Sequence, residues 1–185
     1  MKKFLTCLLV FALTLATLLS ITSCSEKKKE ETDGEEADGG YNMVTYNKNG
    51  FNFAYPSEFT LVLEDESSVY YMNTETGEQI RVEQAEYSTE EAKDYNNREK
   101  PTAQEILDSL TKSASYGHQF SNVSVSYTSN TDTILVEDTY TGIGESSTTV
   151  YTTMYDVYYK EYCVSYIVAD VTSDRPLAKA MGIIG

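Results

Sequence analysis

The chain has 185 residues, enough for one ordinary domain or two small ones. Hydrophobic residues make up 41% and charged residues 23%, which excludes a chain disordered throughout and a polytopic membrane protein. The net charge of −15 excludes sequence-independent nucleic-acid binding, since nothing here would displace the counterions of a phosphate backbone, and a single His with three Cys leaves few ligands for a transition metal.

Lys2 and Lys3 precede eighteen uncharged, mostly apolar residues, Phe4 to Ile21. Small polar residues and a cysteine follow, which is the layout of a secretory signal with a basic start, an apolar middle and a small-residue cleavage site. Ile21-Thr22-Ser23-Cys24 resembles the lipobox of bacterial lipoproteins. That resemblance implies a signal peptide over residues 1–23, cleavage before Cys24, and a diacylglycerol on the Cys24 thiol. Two or three acyl chains, at about 0.8 kcal/mol per buried methylene, suffice for stable anchoring. The alternative is an uncleaved anchor, because eighteen residues are just long enough to span a bilayer. Cys7 lies within the signal, and cleavage would leave a net charge of 12 − 29 = −17.

Residues 24–40 form the expected lipidated and acidic tether. Positions 25–40 hold no large apolar side chain and so cannot offset the entropy of ordering. Lys27, Lys28 and Lys29 lie near the anchor and anionic headgroups, but seven acidic residues surround them, which favours a plain soluble spacer.

All sixteen tyrosines fall at or beyond Tyr41, and residues 41–185 are the expected domain. Phe51, Phe53 and Tyr55 alternate with Asn52 and Ala54, a half-buried strand that stops at Pro56. Strands follow at Thr60 to Leu63, Val69 to Met72 and Gln79 to Ala85, the last two joined through a Gly77 turn. A short helical piece capped by Ser88 runs to Tyr95. Thr102 and Glu105 form a capping box, from which Ala103, Ile106, Leu107, Leu110 and Ala114 recur on one helical face until Gly117. Beyond it Val123, Val125 and Tyr127 alternate with serines, and Ser129 to Asp132 turns into a strand over Thr133 to Thr141. The longest strands, Thr148 to Tyr159 and Tyr162 to Val171, turn at Lys160-Glu161. A last helix starts from Ser173 or Asp174, with Pro176 in its first turn and Leu177, Ala180 and Met181 inward. Tight turns join most strands, so the class is α+β with a largely antiparallel sheet flanked by helices.

This order, with Asn49-Gly50-Phe51-Asn52-Phe53-Ala54-Tyr55-Pro56-Ser57-Glu58-Phe59, resembles the PsbP-like superfamily. Its members open on an aromatic-rich strand running into Tyr-Pro. They include a photosystem subunit, a nuclear factor that binds a small GTPase, and many bacterial lipoproteins. The resemblance implies an α/β/α sandwich used mainly for binding, without family-wide catalytic residues. The chain departs from that pattern at its short end, Leu177 to Gly185.

No catalytic constellation emerges. His118 follows Gly117, where a protonated imidazole would complement the helix dipole, and it has no nucleophile motif beside it. Gly142-Ile143-Gly144-Glu145-Ser146 lacks the third glycine and the helix of a phosphate cradle, and reads as a hairpin loop. Glu64-Asp65-Glu66 lacks calcium-loop spacing and reads as a solvated acidic turn. Tyr151, Tyr155, Val157 and Tyr159 share one strand face, opposite Val150, Thr152, Met154, Asp156 and Tyr158. Core filling is the simpler role for these tyrosines, and a recognition surface the sharper one. Cys163 is expected to be a mostly buried thiol outside any disulfide, because acylation of Cys24 would leave the mature chain no second thiol.

The expected protein is thus a non-enzymatic binding or interaction lipoprotein of the bacterial cell envelope, anchored through Cys24. It would sit on the outer face of the plasma membrane, or at the outer membrane where there are two. No catalytic residue, cofactor or metal is assigned. The partner is a protein or glycan, not nucleic acid, and the ligand-binding residues stay unassigned. The alternatives are an envelope structural or assembly factor and a carboxylate-based hydrolase.

Overall fold

The computed structural model describes residues 40–48, 50–87, 94–142 and 146–185. The signal, Cys24, the tether through residue 39 and residues 88–93 of the helical piece expected from Ser88 to Tyr95 lie outside the described residues. A two-residue periodicity carried by Val, Ile, Thr and Tyr dominates the domain, and nine strands result among the described residues. In chain order they are β1 (Met43–Lys48), β2 (Phe51–Pro56), β3 (Thr60–Glu64), β4 (Ser68–Met72), β5 (Gln79–Glu86), β6 (His118–Tyr127), β7 (Thr131–Thr141), β8 (Ser147–Tyr158) and β9 (Tyr162–Asp170). Two helices are present among the described residues, α1 (Ala103–Ser113) and α2 (Pro176–Ala180), with one 3-10 turn at Tyr95–Asn97.

β1 and β2 form a hairpin of their own, and the other strands make one antiparallel sheet of order β3-β4-β5-β9-β8-β7-β6. Register separates its two faces. Val69, Tyr71, Ile80, Val82, Val164 and Val168 face the β1–β2 hairpin and α2, packing with Tyr46, Phe51, Phe53, Phe59, Leu177 and Ala178. Phe120, Ile134, Val136 and Met154 face the other way, against Ile106 and Leu110 of α1. At ~1.5–3 kcal/mol for each fully buried aliphatic side chain, these two cores hold the hairpin and helices to the sheet.

The antiparallel sheet is as expected, but the molecule is richer in β structure than a helix-flanked sandwich. One face is covered mainly by a β-hairpin, and its helix is a single short segment of five residues. β1 escapes the sequence reading because Met43 to Lys48 mixes polar and apolar residues without clean alternation. Pairing with β2 makes it a strand, with Tyr46 opposite Phe53.

The α1 capping box forms as expected. Glu105 N–H donates to Thr102 Oγ1 at 3.3 Å, and Thr102 N–H donates to Glu105 Oε2 at 2.8 Å. The helix ends at Ser113, so Gly117 is not its cap. Gly117 sits at φ 87°, where an added Cβ would lie 2.6 Å from the Thr141 carbonyl oxygen. β6 accordingly begins at His118, earlier than expected, and a bulge between Ser121 and Ser124 with Asn122 at φ 49° obscures its periodicity. α2 starts after Arg175, itself at φ 54°, rather than from Ser173 or Asp174. Ala178 is fully buried in place of Ala180.

Candidate binding surface

Buried charges come first, because each needs a partner. Arg98 enters from the crossover between the 3-10 turn and α1. Its Nε donates to both carboxylate oxygens of Asp132 at 3.0 Å, and its Nη atoms donate to the carbonyls of Thr128, Ser129 and Thr131. Its guanidinium lies 4.5 Å from the Tyr158 ring centroid, while Tyr158 O–H donates to Asp132 at 2.9 Å. Asp132 is 1% exposed, so this single arginine pins the crossover to the β6–β7 hairpin. Asp156 stands opposite Asp132 in the register, and burial pushes its carboxyl up to about 6.

A second cluster joins β5, β9 and α2. Asp170 is wholly buried, and its Oδ1 accepts from Leu177 N–H at 2.7 Å, fixing the start of α2. Burial raises its carboxyl to about 6, against the pull of the Leu177 and Ala178 amides. Nearby, buried Glu78 accepts from Tyr41 O–H at 2.7 Å and from Thr76 Oγ1 at 2.8 Å. Arg175 is also buried, donating to Thr153 Oγ1 and to the Val136 carbonyl. Burial pulls its pKa below the ordinary arginine value.

His118 turns out not to serve a helix end. As the first residue of β6 it lies with Nδ1 2.8 Å from Asp138 Oδ2, and its ring packs 4.8 Å from that of Tyr140. The reason is that α1 stops five residues earlier, leaving the imidazole to face β7. Burial pushes the Asp138 carboxyl up, opposed by His118. Among the described residues, no group of three or more His, Cys, Asp or Glu is placed to hold a metal ion.

The predicted strand faces of β8 hold. Tyr151, Tyr155 and Val157 lie on the hairpin side, but the hairpin covers β4, β5 and β9 and leaves them half-exposed beside Thr133 and Leu135 of β7. Tyr155 lies 6.1 Å from Tyr166, which reaches Phe53 of the hairpin at 6.4 Å. Tyrosine here is therefore both core and surface: Tyr46, Tyr70 and Tyr71 are buried, while Tyr151, Tyr155 and Tyr166 border solvent. Cys163 is half-buried beside the β8–β9 turn, where a mostly buried position was expected.

Asp65 accepts from the backbone amides of Ser67 and Ser68, which hold its carboxyl below the usual range. That makes Glu64-Asp65-Glu66 a structured turn rather than a merely solvated one. Ile143 to Glu145 lie outside the described residues. Reading the sequence missed Arg98, Arg175 and the exposure of Leu61-Val62-Leu63. The last had a visible signal, an unbroken apolar run where a half-buried strand would alternate.

No family model matches the chain, and no curated protein matches it. Among solved structures it is similar to cyanobacterial PsbP (CyanoP) from Synechocystis sp. PCC 6803, at 14% identity and a TM-score of 0.46 over 86% of this chain and 96% of that one. It is also similar to a protein from Bacteroides thetaiotaomicron VPI-5482, at 11% identity and a TM-score of 0.44, over 82% of this chain and 47% of the other. Both likenesses are distant.

Proposed function

We propose that this chain is a non-enzymatic binding lipoprotein of the bacterial cell envelope, tethered through Cys24 and carrying a PsbP-like domain. The anchor rests on Ile21-Thr22-Ser23-Cys24, and the domain type on the Asn49 to Phe59 motif and the order of elements. One observation carries the binding reading: each buried carboxylate among the described residues is engaged by the fold through at least one oxygen, although one oxygen each of Asp138 and Asp170 has no partner. Asp132 is held by Arg98 and Tyr158, Asp138 by His118, Glu78 by Tyr41 and Thr76, and Asp170 by the amide of Leu177. Beside the exposed carboxylates, half-exposed tyrosine and threonine on the uncovered part of the sheet also meet solvent, chemistry suited to recognition. With nine Lys and Arg against twenty-two Asp and Glu in residues 41–185, the domain repels anionic polymers and favours neutral or basic partners.

Crosslinking in intact membranes followed by affinity capture tests the proposal. Binding predicts a stoichiometric protein or glycan partner whose retention weakens as salt passes physiological strength. Turnover of a substrate that disappears on changing one carboxylate would overturn it.

A further inference from the structure

Five large apolar side chains are exposed among the described residues. Three of them are consecutive, Leu61 at 41%, Val62 at 40% and Leu63 at 49%; the others, Tyr116 and Tyr159, stand apart. All three lie on β3, the edge of the seven-stranded sheet. β3 pairs with β4 on one side, and among the described residues no strand pairs with its other side. A row of backbone donors and acceptors beside apolar side chains is a template for another strand, which proteins usually suppress with charge, shortness or a bulge.

β3 keeps two of these safeguards, since it has five residues and a bulge between Leu61 and Leu63. Its charge is confined to its ends. Exposed Glu58 precedes it, Glu64 ends it, and exposed Asp65 and Glu66 follow, with Lys48 bridging to Glu64 as a nearby basic group. Antiparallel pairing of two copies through β3 would set Glu58 of each beside Glu64 to Glu66 of the other. Like charges would meet at both ends, so self-association is disfavoured. A strand with an apolar middle and basic ends meets complementary charge at both.

We propose that β3 docks an extended segment of a protein partner, apolar in its middle and flanked by lysine or arginine, as an added strand. Main-chain hydrogen bonds along the edge would supply affinity, and Leu61, Val62 and Leu63 a dry contact. The terminal carboxylates would select for basic flanks. This proposal rests on the binding reading above and names the surface and chemistry of that binding.

The test uses the full-length chain, isotopically labelled and purified in detergent. The probe is a nine-residue peptide with alternating valine and threonine in its middle and two lysines at each end; its twin carries glutamates instead. The lysine peptide should bind with Kd below about 1 mM and shift amide resonances of residues 58–72, and the glutamate twin at least tenfold more weakly. Val62→Asp should weaken the lysine peptide at least tenfold. The double variant Glu58→Lys/Glu66→Lys alters only exposed positions and should reverse the preference. No binding by the lysine peptide, equal binding by the twin, or self-association through β3 would overturn the proposal. Shifts confined to Tyr151 and Tyr155 would overturn it while leaving the binding reading standing. Hydrolysis of the peptide, lost on changing one carboxylate, would overturn the binding reading itself.

Discussion

Asp132 and Arg98 lie thirty-four residues apart in sequence, yet the first is sealed from water and the second reaches it with both Nε and Nη groups. Removing one partner of such a pair strands the other charge in a poorly solvating interior, at a cost of about 3–5 kcal/mol. Arg98→Ala should lower unfolding free energy in urea by about that amount, and a loss under about 1 kcal/mol would mean that Asp132 finds solvent without help. Asp170 poses the opposite problem. Its folded pKa, raised by burial to about 6 from 3.8, means that the folded chain holds this proton more tightly than the unfolded one. The resulting stabilisation is complete below the unfolded pKa and is lost as pH rises through the folded one. Asp170→Asn keeps an oxygen to accept from Leu177 N–H but removes the titration. Stability of the parent minus that of the variant should therefore rise as pH falls from 7 towards 4.5, and a flat difference would exclude Asp170 as its source.

Elements owe their limits to local chemistry that can be tested one position at a time. The Thr102–Glu105 box satisfies amide groups at the start of α1, and Thr102→Ala should cost about 1 kcal/mol in thermal or urea unfolding. Gly117 is needed for two reasons at once, a left-handed backbone and the Thr141 carbonyl where a Cβ would go. Gly117→Ala should cost more than the ~1 kcal/mol of an ordinary conformational penalty, with amide exchange speeding up at the start of β6 and the end of β7. An effect no larger than that of Thr102→Ala would show that this corner relaxes freely. Both residues are readable as helix signals. Only the cap is one, because Gly117 acts through a strand twenty-four residues further along the chain.

At the scale of the whole molecule, one antiparallel sheet is covered by α1 on one face and by a hairpin with α2 on the other, leaving half of that second face and the β3 edge to solvent. The proposed anchor is the remaining large-scale feature. Cys24→Ala should abolish processing and move the protein out of the detergent phase in a partitioning assay. A variant that still matures with lipid attached would remove Cys24 as the anchor.

Local patterning determined the antiparallel class, the capped helix, the β8–β9 turn and the two faces of β8, because periodicity, capping and turn chemistry each act within a few residues. The lipobox resemblance at Ile21 to Cys24 likewise lies within four consecutive residues. Tertiary structure decided what depends on distant partners. β1 is a strand because β2 lies beside it, and Arg98 is drawn inward, half-buried, because the sealed Asp132 of β7 needs a partner. His118 serves β7 rather than a helix end, and Leu61, Val62 and Leu63 stay in water because β3 falls at the edge. An apolar run has the same letters in a core strand and an edge strand, and only the order of strands distinguishes them.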